Sequence, residues 1–487
     1  MLLADPNLAL LLSLLALGAM GLVLLRYRTV LLGFTFFSFF NIASASLTAF
    51  LVATGFNLSS PWLTADHLRV INYSAVGLLA FSAGVWLAWR PLAGKDLASI
   101  WQIQTSTPRL PSPSVIPYIN QAKNSLLPWL NLRFAMLCLG LSVAIYALTP
   151  AVYAIPTFRA VWSNLYSLLP LGLLAVLLVC QISRNYAPLI IAFLIFIPVA
   201  LSSAVNTGHI GVGGSFMFQL LLVATFALGI RVRTLPLFAI GTIILTSLLV
   251  GWLASRSLIR SGELSQYGQI DRIEIFVREF AYISPFELTP EQVQEMVRMR
   301  VDMTDLLASQ VFYQPRFEPY ANGTTIINEL AASLVPRFLW PDKPSIVGGS
   351  AFVTRFTGMT FAEGTSVGLP YQFELYANGG VPVVIVGLFI LGWLTARLEL
   401  YTVTRPLSLP WFLVLMNSTY VLANGGQTIV VVLVTLIAGS IGYYVLGILL
   451  LRFNLVYGFW QEPMILQESI PQRLRPTSWF KPTTPRS

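Results

Sequence analysis

Long apolar runs, each about twenty residues, constrain this chain more than any other feature. A bilayer's hydrocarbon core is about 30 Å thick, and a helix rising 1.5 Å per residue crosses it in about 20 residues. Runs of that kind lie at roughly 7–25, 30–53, 71–89, 134–154, 163–181, 187–205, 211–230, 235–254, 374–396, 408–424 and 428–451. They predict an all-α polytopic membrane protein with about eleven transmembrane helices. Composition agrees. Only 10% of the 487 residues are charged, against about 25% in a soluble domain, and mean hydropathy is +0.74. A soluble fold with so few charges could not cover its own surface, so lipid must be the solvent for much of it.

The formal net charge is +9, and its placement gives an orientation. Between 255 and 376 there are 10 Lys+Arg and 14 Asp+Glu, which leaves 19 and 6 for the rest of the chain. The basic excess therefore sits in short loops and tails, as cytoplasmic segments require. Arg26 and Arg28 follow the first run, Arg90 and Lys95 the third, Arg184 the fifth, Arg231 and Arg233 the seventh. Arg397 and Arg405 follow the ninth and Arg452 the eleventh. Positive charge after every odd-numbered run places the N-terminus outside and the C-terminus in the cytoplasm. Residues 1–254 then carry helices one to eight, 255–373 form one large extracytoplasmic loop, 374–451 carry helices nine to eleven, and 452–487 form a cytoplasmic tail.

Other features narrow the reading further. Met1 to Asn7 lacks a basic leader region, so the first helix is expected to be retained. Residues 91–131 form a cytoplasmic linker whose Pro/Ser-rich run, Thr107 to Pro113, cannot bury a core. Cys138 and Cys180 fall in apolar runs near the cytoplasmic ends, which argues against a disulfide or a metal site. No nucleic-acid motif is present, and no internal repeat of the kind common in transporters. Ionisable residues are scarce within the runs, whereas ion and solute carriers commonly place them there. Asn41 and Asn417 are the more conspicuous polar residues in the runs and suit helix–helix hydrogen bonds.

Charge and chemistry concentrate in the loop. Thr289-Pro290-Glu291-Gln292 reads as a helix start, with Thr289 as the cap, and predicts a helix from Pro290 to about Gln310. Val293, Met296, Val297, Met303 and Leu307 would share its apolar face, and Asp302 and Asp305 the opposite one. Arg300 falls on the apolar side, where it either pairs or snorkels structurally or reaches an anionic ligand. A second helix is predicted from Thr325 to Val335, with Ile326, Ile327, Leu330, Ala331 and Leu334 at helical spacing and Pro336 as its stop. The run Pro336-Arg337-Phe338-Leu339-Trp340-Pro341-Asp342-Lys343-Pro344 follows. Its three prolines limit the backbone and hold Arg337, Asp342 and Lys343 in an aromatic-flanked arrangement. Such a piece suits a phosphate together with a sugar, because an arginine fork matches phosphate oxygens. It could equally be a rigid interfacial loop, with Trp340 an anchor at the bilayer surface.

Arg355 supplies a further cation, and the stretch from Tyr371 to Gly380 reaches the outer mouth of the ninth helix. Glu374 and Asn378 are four apart and share a face if this stretch is helical. Gly379, Gly380 and Pro382 predict a kink. Glu374 at a membrane mouth opposite a basic loop is a candidate general base, or a helix-start carboxylate favoured by the dipole. His67 and His209 sit on different expected outer loops, which makes a weak metal signal and leaves His209 as a lesser catalytic candidate. No P-loop, no HExxH and no Asp-x-Asp of metal-dependent sugar-nucleotide transferases is present.

Arg300-Val301-Asp302, Leu334 to Pro344, Thr365-Ser366 and Glu374-Leu375-Tyr376-Ala377-Asn378-Gly379-Gly380 together resemble the O-antigen polymerase (Wzy-type) family of oligosaccharide repeat-unit polymerases. The resemblance covers about 80 residues, and the proline-rich run is its most specific part. It implies a GT-C-like membrane glycosyltransferase that moves a growing glycan from polyprenyl pyrophosphate onto the next lipid-linked repeat unit, on the outer face of the bacterial inner membrane. No metal or other cofactor is then expected. Arg300, Arg337, Lys343 and Arg355 would hold the pyrophosphate, since fixed positive charge where negative charge develops is commonly the largest catalytic effect. Glu374 and Asp342, then His209, would accept the acceptor's proton, and Trp340, Tyr371 and Asn378 would position sugar rings. The implied partners are donor and acceptor lipid-linked oligosaccharides, membrane lipids, a chain-length regulator and other polysaccharide-assembly proteins. An O-antigen ligase, a lipid-linked-glycan flippase or other transporter, and a non-catalytic scaffold are the competing readings.

Overall fold

A computed structural model describes residues 6–26, 65–89, 131–153, 168–183, 187–207, 303–335, 349–361, 367–403, 409–423 and 428–453, with isolated positions 165, 185, 271, 274, 275, 278, 340 and 455. Among these residues the structure is helical and contains no strand. The helices are α1 (Pro6–Arg26), α2 (Ala65–Trp89), α3 (Leu132–Tyr153), α4 (Leu168–Ser183), α5 (Ala187–Thr207), α6 (Thr304–Tyr313), α7 (Thr324–Leu334), α8 (Ser350–Thr357), α9 (Tyr371–Val403), α10 (Leu409–Ala423) and α11 (Ile429–Arg452).

Eight of the eleven apolar runs coincide with α1–α5 and α9–α11; those at 30–53, 211–230 and 235–254 lie outside the described residues. Among the described residues, three helical stretches are long and apolar enough to cross a membrane: Ala65–Trp89, Tyr371–Leu398 and Ile429–Arg452. Shorter apolar stretches run over Asn7–Val23, Leu132–Leu148 and Ala187–Phe196. Large aliphatic side chains such as Leu22, Leu194 and Ile441 stand exposed on these helices, which water would penalise and lipid does not. The chain is thus built as a helical membrane protein.

Backbone contact organises the centre. α9 crosses α2 with Gly84 against the Phe389 carbonyl and Gly392 against the Phe81 carbonyl, so closely that a Cβ at either glycine would run into the facing oxygen. Small residues permit this approach, and close van der Waals packing replaces the hydrophobic effect that lipid cannot supply. Leu78, Phe81, Val85, Val384 and Leu388 fill the seam. α1 packs on α2, where the Ser82 hydroxyl donates to the Leu78 carbonyl at 2.8 Å and lies 3.4 Å from the Met20 sulfur. α10 and α11 pair through Gly439 beside Asn417 and Gly447 against Pro410. Hydroxyls within the spans return to their own helix, as Ser142 does to the Cys138 carbonyl at 2.7 Å and Thr395 to the Leu391 carbonyl at 2.9 Å. Cys138 and Cys180 are free and buried.

α6, α7 and α8 belong to the predicted loop. The expected helix over 290–310 is corrected in its described part: the helix starts at Thr304, after a non-helical Met303 (φ −96°, ψ 9°), and runs on to Tyr313. Asp305 lies in its first turn, where the helix dipole favours a carboxylate. α7 matches the prediction within one residue, and Val335 after it is extended (φ −90°, ψ 119°), as a residue before proline tends to be. Its burial pattern places a carboxylate inward. Thr325, Glu329 and Ala332 share one helix face, with Glu329 and Ala332 buried, while Ile327 is 64% exposed.

Candidate functional site

The first two turns of α9, residues 371–378, are buried on every side. They end where Gly379 and Gly380 leave helical geometry; Gly380 adopts φ +69°, which glycine accepts without strain. The predicted kink is therefore present, and it frees carbonyls that need new donors. The loop reaches one of them and a neighbouring carbonyl of α9. The Ala321 N–H donates to the Ala377 carbonyl at 2.9 Å, and the Gln310 amide donates to the Phe373 carbonyl at 2.9 Å and to Gln314 at 3.1 Å. The Asn378 amide donates to the Glu374 carbonyl at 2.8 Å and to the Thr325 hydroxyl at 2.7 Å. Tyr376 stacks on Tyr73 at 5.4 Å and meets Tyr320 edge-on at 6.0 Å. At the other end of α6, Asp305 reaches His67 on α2 at 2.8 Å.

This frame presents two carboxylates to the start of α11. Glu374 is fully buried and accepts the Ile429 N–H at 2.5 Å through Oε2, while its Oε1 has no hydrogen-bond partner. Glu329, on the inner face of α7, accepts the Thr428 hydroxyl at 3.2 Å through Oε2, and its Oε1 is likewise without a partner. Thr428 caps α11 by accepting the Val431 N–H at 3.3 Å. Both acids thus converge on one helix N-terminus, where exposed N–H groups and the dipole favour negative charge. Neither has a basic partner among the described residues. Burial pushes the Glu329 carboxyl up to about 7, against a smaller lowering by the Thr428 hydrogen bond.

The predicted site residues fare differently. Arg300, Arg337, Asp342, Lys343 and His209 lie outside the described residues. Arg355 is on α8, more than half exposed; its Nε donates to Glu318 at 2.7 Å and its guanidinium lies 4.9 Å from the centre of the Phe356 ring. The other four of its five N–H donors do not take part in that bond. Trp340 is 39% exposed, so its ring offers a face. Tyr371 and Asn378 are buried, and Asn378 is bonded to α7 and to the Glu374 carbonyl of its own helix. Glu329 was absent from the sequence-derived set; its signal was a lone acid four residues after Thr325 in an otherwise uncharged helix. No group of three or more His, Cys, Asp or Glu among the described residues could hold a metal. Comparison with protein-family models, with curated proteins and with solved structures gives no match for this chain.

Proposed function

We propose that the protein is a membrane glycosyltransferase that polymerises polyprenyl-pyrophosphate-linked oligosaccharide repeat units into a surface polysaccharide, an O-antigen or exopolysaccharide. It would act on the outer face of the bacterial inner membrane, with about eleven spans in a GT-C-like arrangement, the N-terminus outside and the C-terminus cytoplasmic. The observation that carries this reading is Glu374: the carboxylate that opens the family-like Glu374–Gly380 stretch is buried at the junction of the loop helices with α9 and α11, one oxygen fixed and the other without a partner. A fixed carboxylate with a spare acceptor is what an attacking hydroxyl requires. The acceptor hydroxyl would attack the donor's anomeric carbon as the bond to pyrophosphate breaks, with the basic loop residues taking up the charge on the leaving group.

Deletion of the gene, followed by size analysis of lipid-linked and surface glycan, tests this. Single-repeat glycan without polymer is the expected result. Full-length polymer stranded on the carrier would identify a ligase instead, and an unchanged profile would overturn both. One observation favours a second reading. Glu374 lies in an apolar stretch long enough to span the membrane, a place where ionisable groups also mark proton-coupled carriers. A flippase would leave repeat units trapped on the cytoplasmic face.

A further inference from the structure

Two carboxylates, each with one unpartnered oxygen, are buried at one helix end. Glu329 is 6% exposed and Glu374 0%, and each leaves Oε1 without a donor while Oε2 is bonded to the neighbouring residues Thr428 and Ile429. Among the described residues, the charged and titratable groups around them are few. Glu329 is the sole ionisable residue of α7, and α11 carries no charged residue before Arg452. On α9, Tyr376 turns instead toward Tyr73 and Tyr320, and Asp66 and Arg69 pair with each other on α2. Neighbouring carboxylates with no cation beside them among the described residues disfavour double ionisation. The positive end of α11 supports one negative charge and disfavours a metal cation between them.

We propose that Glu329 and Glu374 form one proton-accepting unit in which Glu329, the carboxylate nearer the surface, meets the hydroxyl of the acceptor sugar. The assignment rests on the polymerase reading. In the step, the hydroxyl oxygen bonds to the donor's anomeric carbon and that carbon's bond to the pyrophosphate oxygen breaks. The electron pair leaves with the polyprenyl pyrophosphate, and the hydroxyl proton passes to the carboxylate pair, from which water later removes it. Thr428 holds Glu329 in place and is a positioning residue.

Two readouts separate the parts of this claim. Infrared spectra of the purified full chain at neutral pH report the pair alone: one protonated-carboxyl band is expected, altered by both Glu329→Gln and Glu374→Gln. A band altered by only one of them, or no band, would overturn the shared unit whatever the protein's activity. Polymer formation from lipid-linked repeat units reports the chemistry. Glu329→Gln is expected to slow it by roughly 10²-fold at unchanged protein level, and Glu329→Asp to restore part of it with a changed pH profile. Wild-type rate and pH profile in Glu329→Gln would overturn the proton-accepting role. If the wild type itself forms no polymer while the band behaves as expected, the polymerase reading fails and the carboxylate pair stands.

Discussion

Adding one methyl group at the α2–α9 crossing tests whether backbone contact holds the centre together. In Gly84→Ala the new Cβ would meet the Phe389 carbonyl oxygen and would lie 2.9 Å from the Trp393 nitrogen, where ordinary contact begins at 3.4 Å. In Gly392→Ala it would lie 3.0 Å from the Phe81 carbonyl carbon, beside that residue's oxygen. The obstructing atoms are backbone, so no rotamer change relieves the clash and the helices must part. Overpacking of this kind costs about 1–3 kcal/mol, whereas alanine gains about 0.5–1 kcal/mol over glycine within a helix. The clash wins, and each variant should lose about 1–2 kcal/mol. Gly21→Ala is the control, because a Cβ there meets nothing within 4 Å; it should be neutral or slightly stabilising. Thermal unfolding of the purified protein in detergent, followed by size-exclusion chromatography, reads all three. Gly84→Ala and Gly392→Ala both unfolding at or above the wild-type temperature would refute the crossing.

Three further outcomes are expected. Glu329 has a folded pKa of about 7 against an ordinary 4.5, so the fold favours its neutral form. Its contribution is fully present below about pH 4.5 and is lost as pH rises through about 7, by at most about 3 kcal/mol; in Glu329→Gln that pH-dependent loss should disappear from thermal melts. Asn378→Ala removes the bonds to Thr325 and to the Glu374 carbonyl and should cost about 1–3 kcal/mol, read as a lower melting temperature and faster proteolysis of the loop. Arg355→Ala breaks an exposed ion pair with Glu318 worth less than about 1 kcal/mol; a fall in polymer yield at unchanged melting temperature would assign Arg355 to the substrate, and unchanged yield would remove it from the site.

Much of the architecture could be read from hydrophobic runs, because a helix in lipid has one dominant requirement, an apolar stretch long enough to cross. That is why α1, α5, α10 and α11 begin within a residue of the runs at 7–25, 187–205, 408–424 and 428–451. The kink at Gly379–Gly380 was legible for a local reason: two glycines and a proline within four residues cannot all continue a helix. The loop was harder. α7 was located by its pattern, but spacing alone did not say which face turns inward. Ile327 is outward and Glu329 inward. The partner of Glu374 depends on Thr428 and Ile429, some fifty-five residues away, and no local pattern encodes that meeting. The same applies to Asn378, whose side chain joins α7 to α9.

Reconstitution measures the central claim most directly. The purified chain in liposomes, supplied only with polyprenyl-pyrophosphate-linked repeat units from the host, should convert them into a ladder of longer glycans, and Glu374→Ala at equal incorporation should not. Repeat units that remain single with the wild-type chain present, in a preparation shown to be folded, would contradict the account.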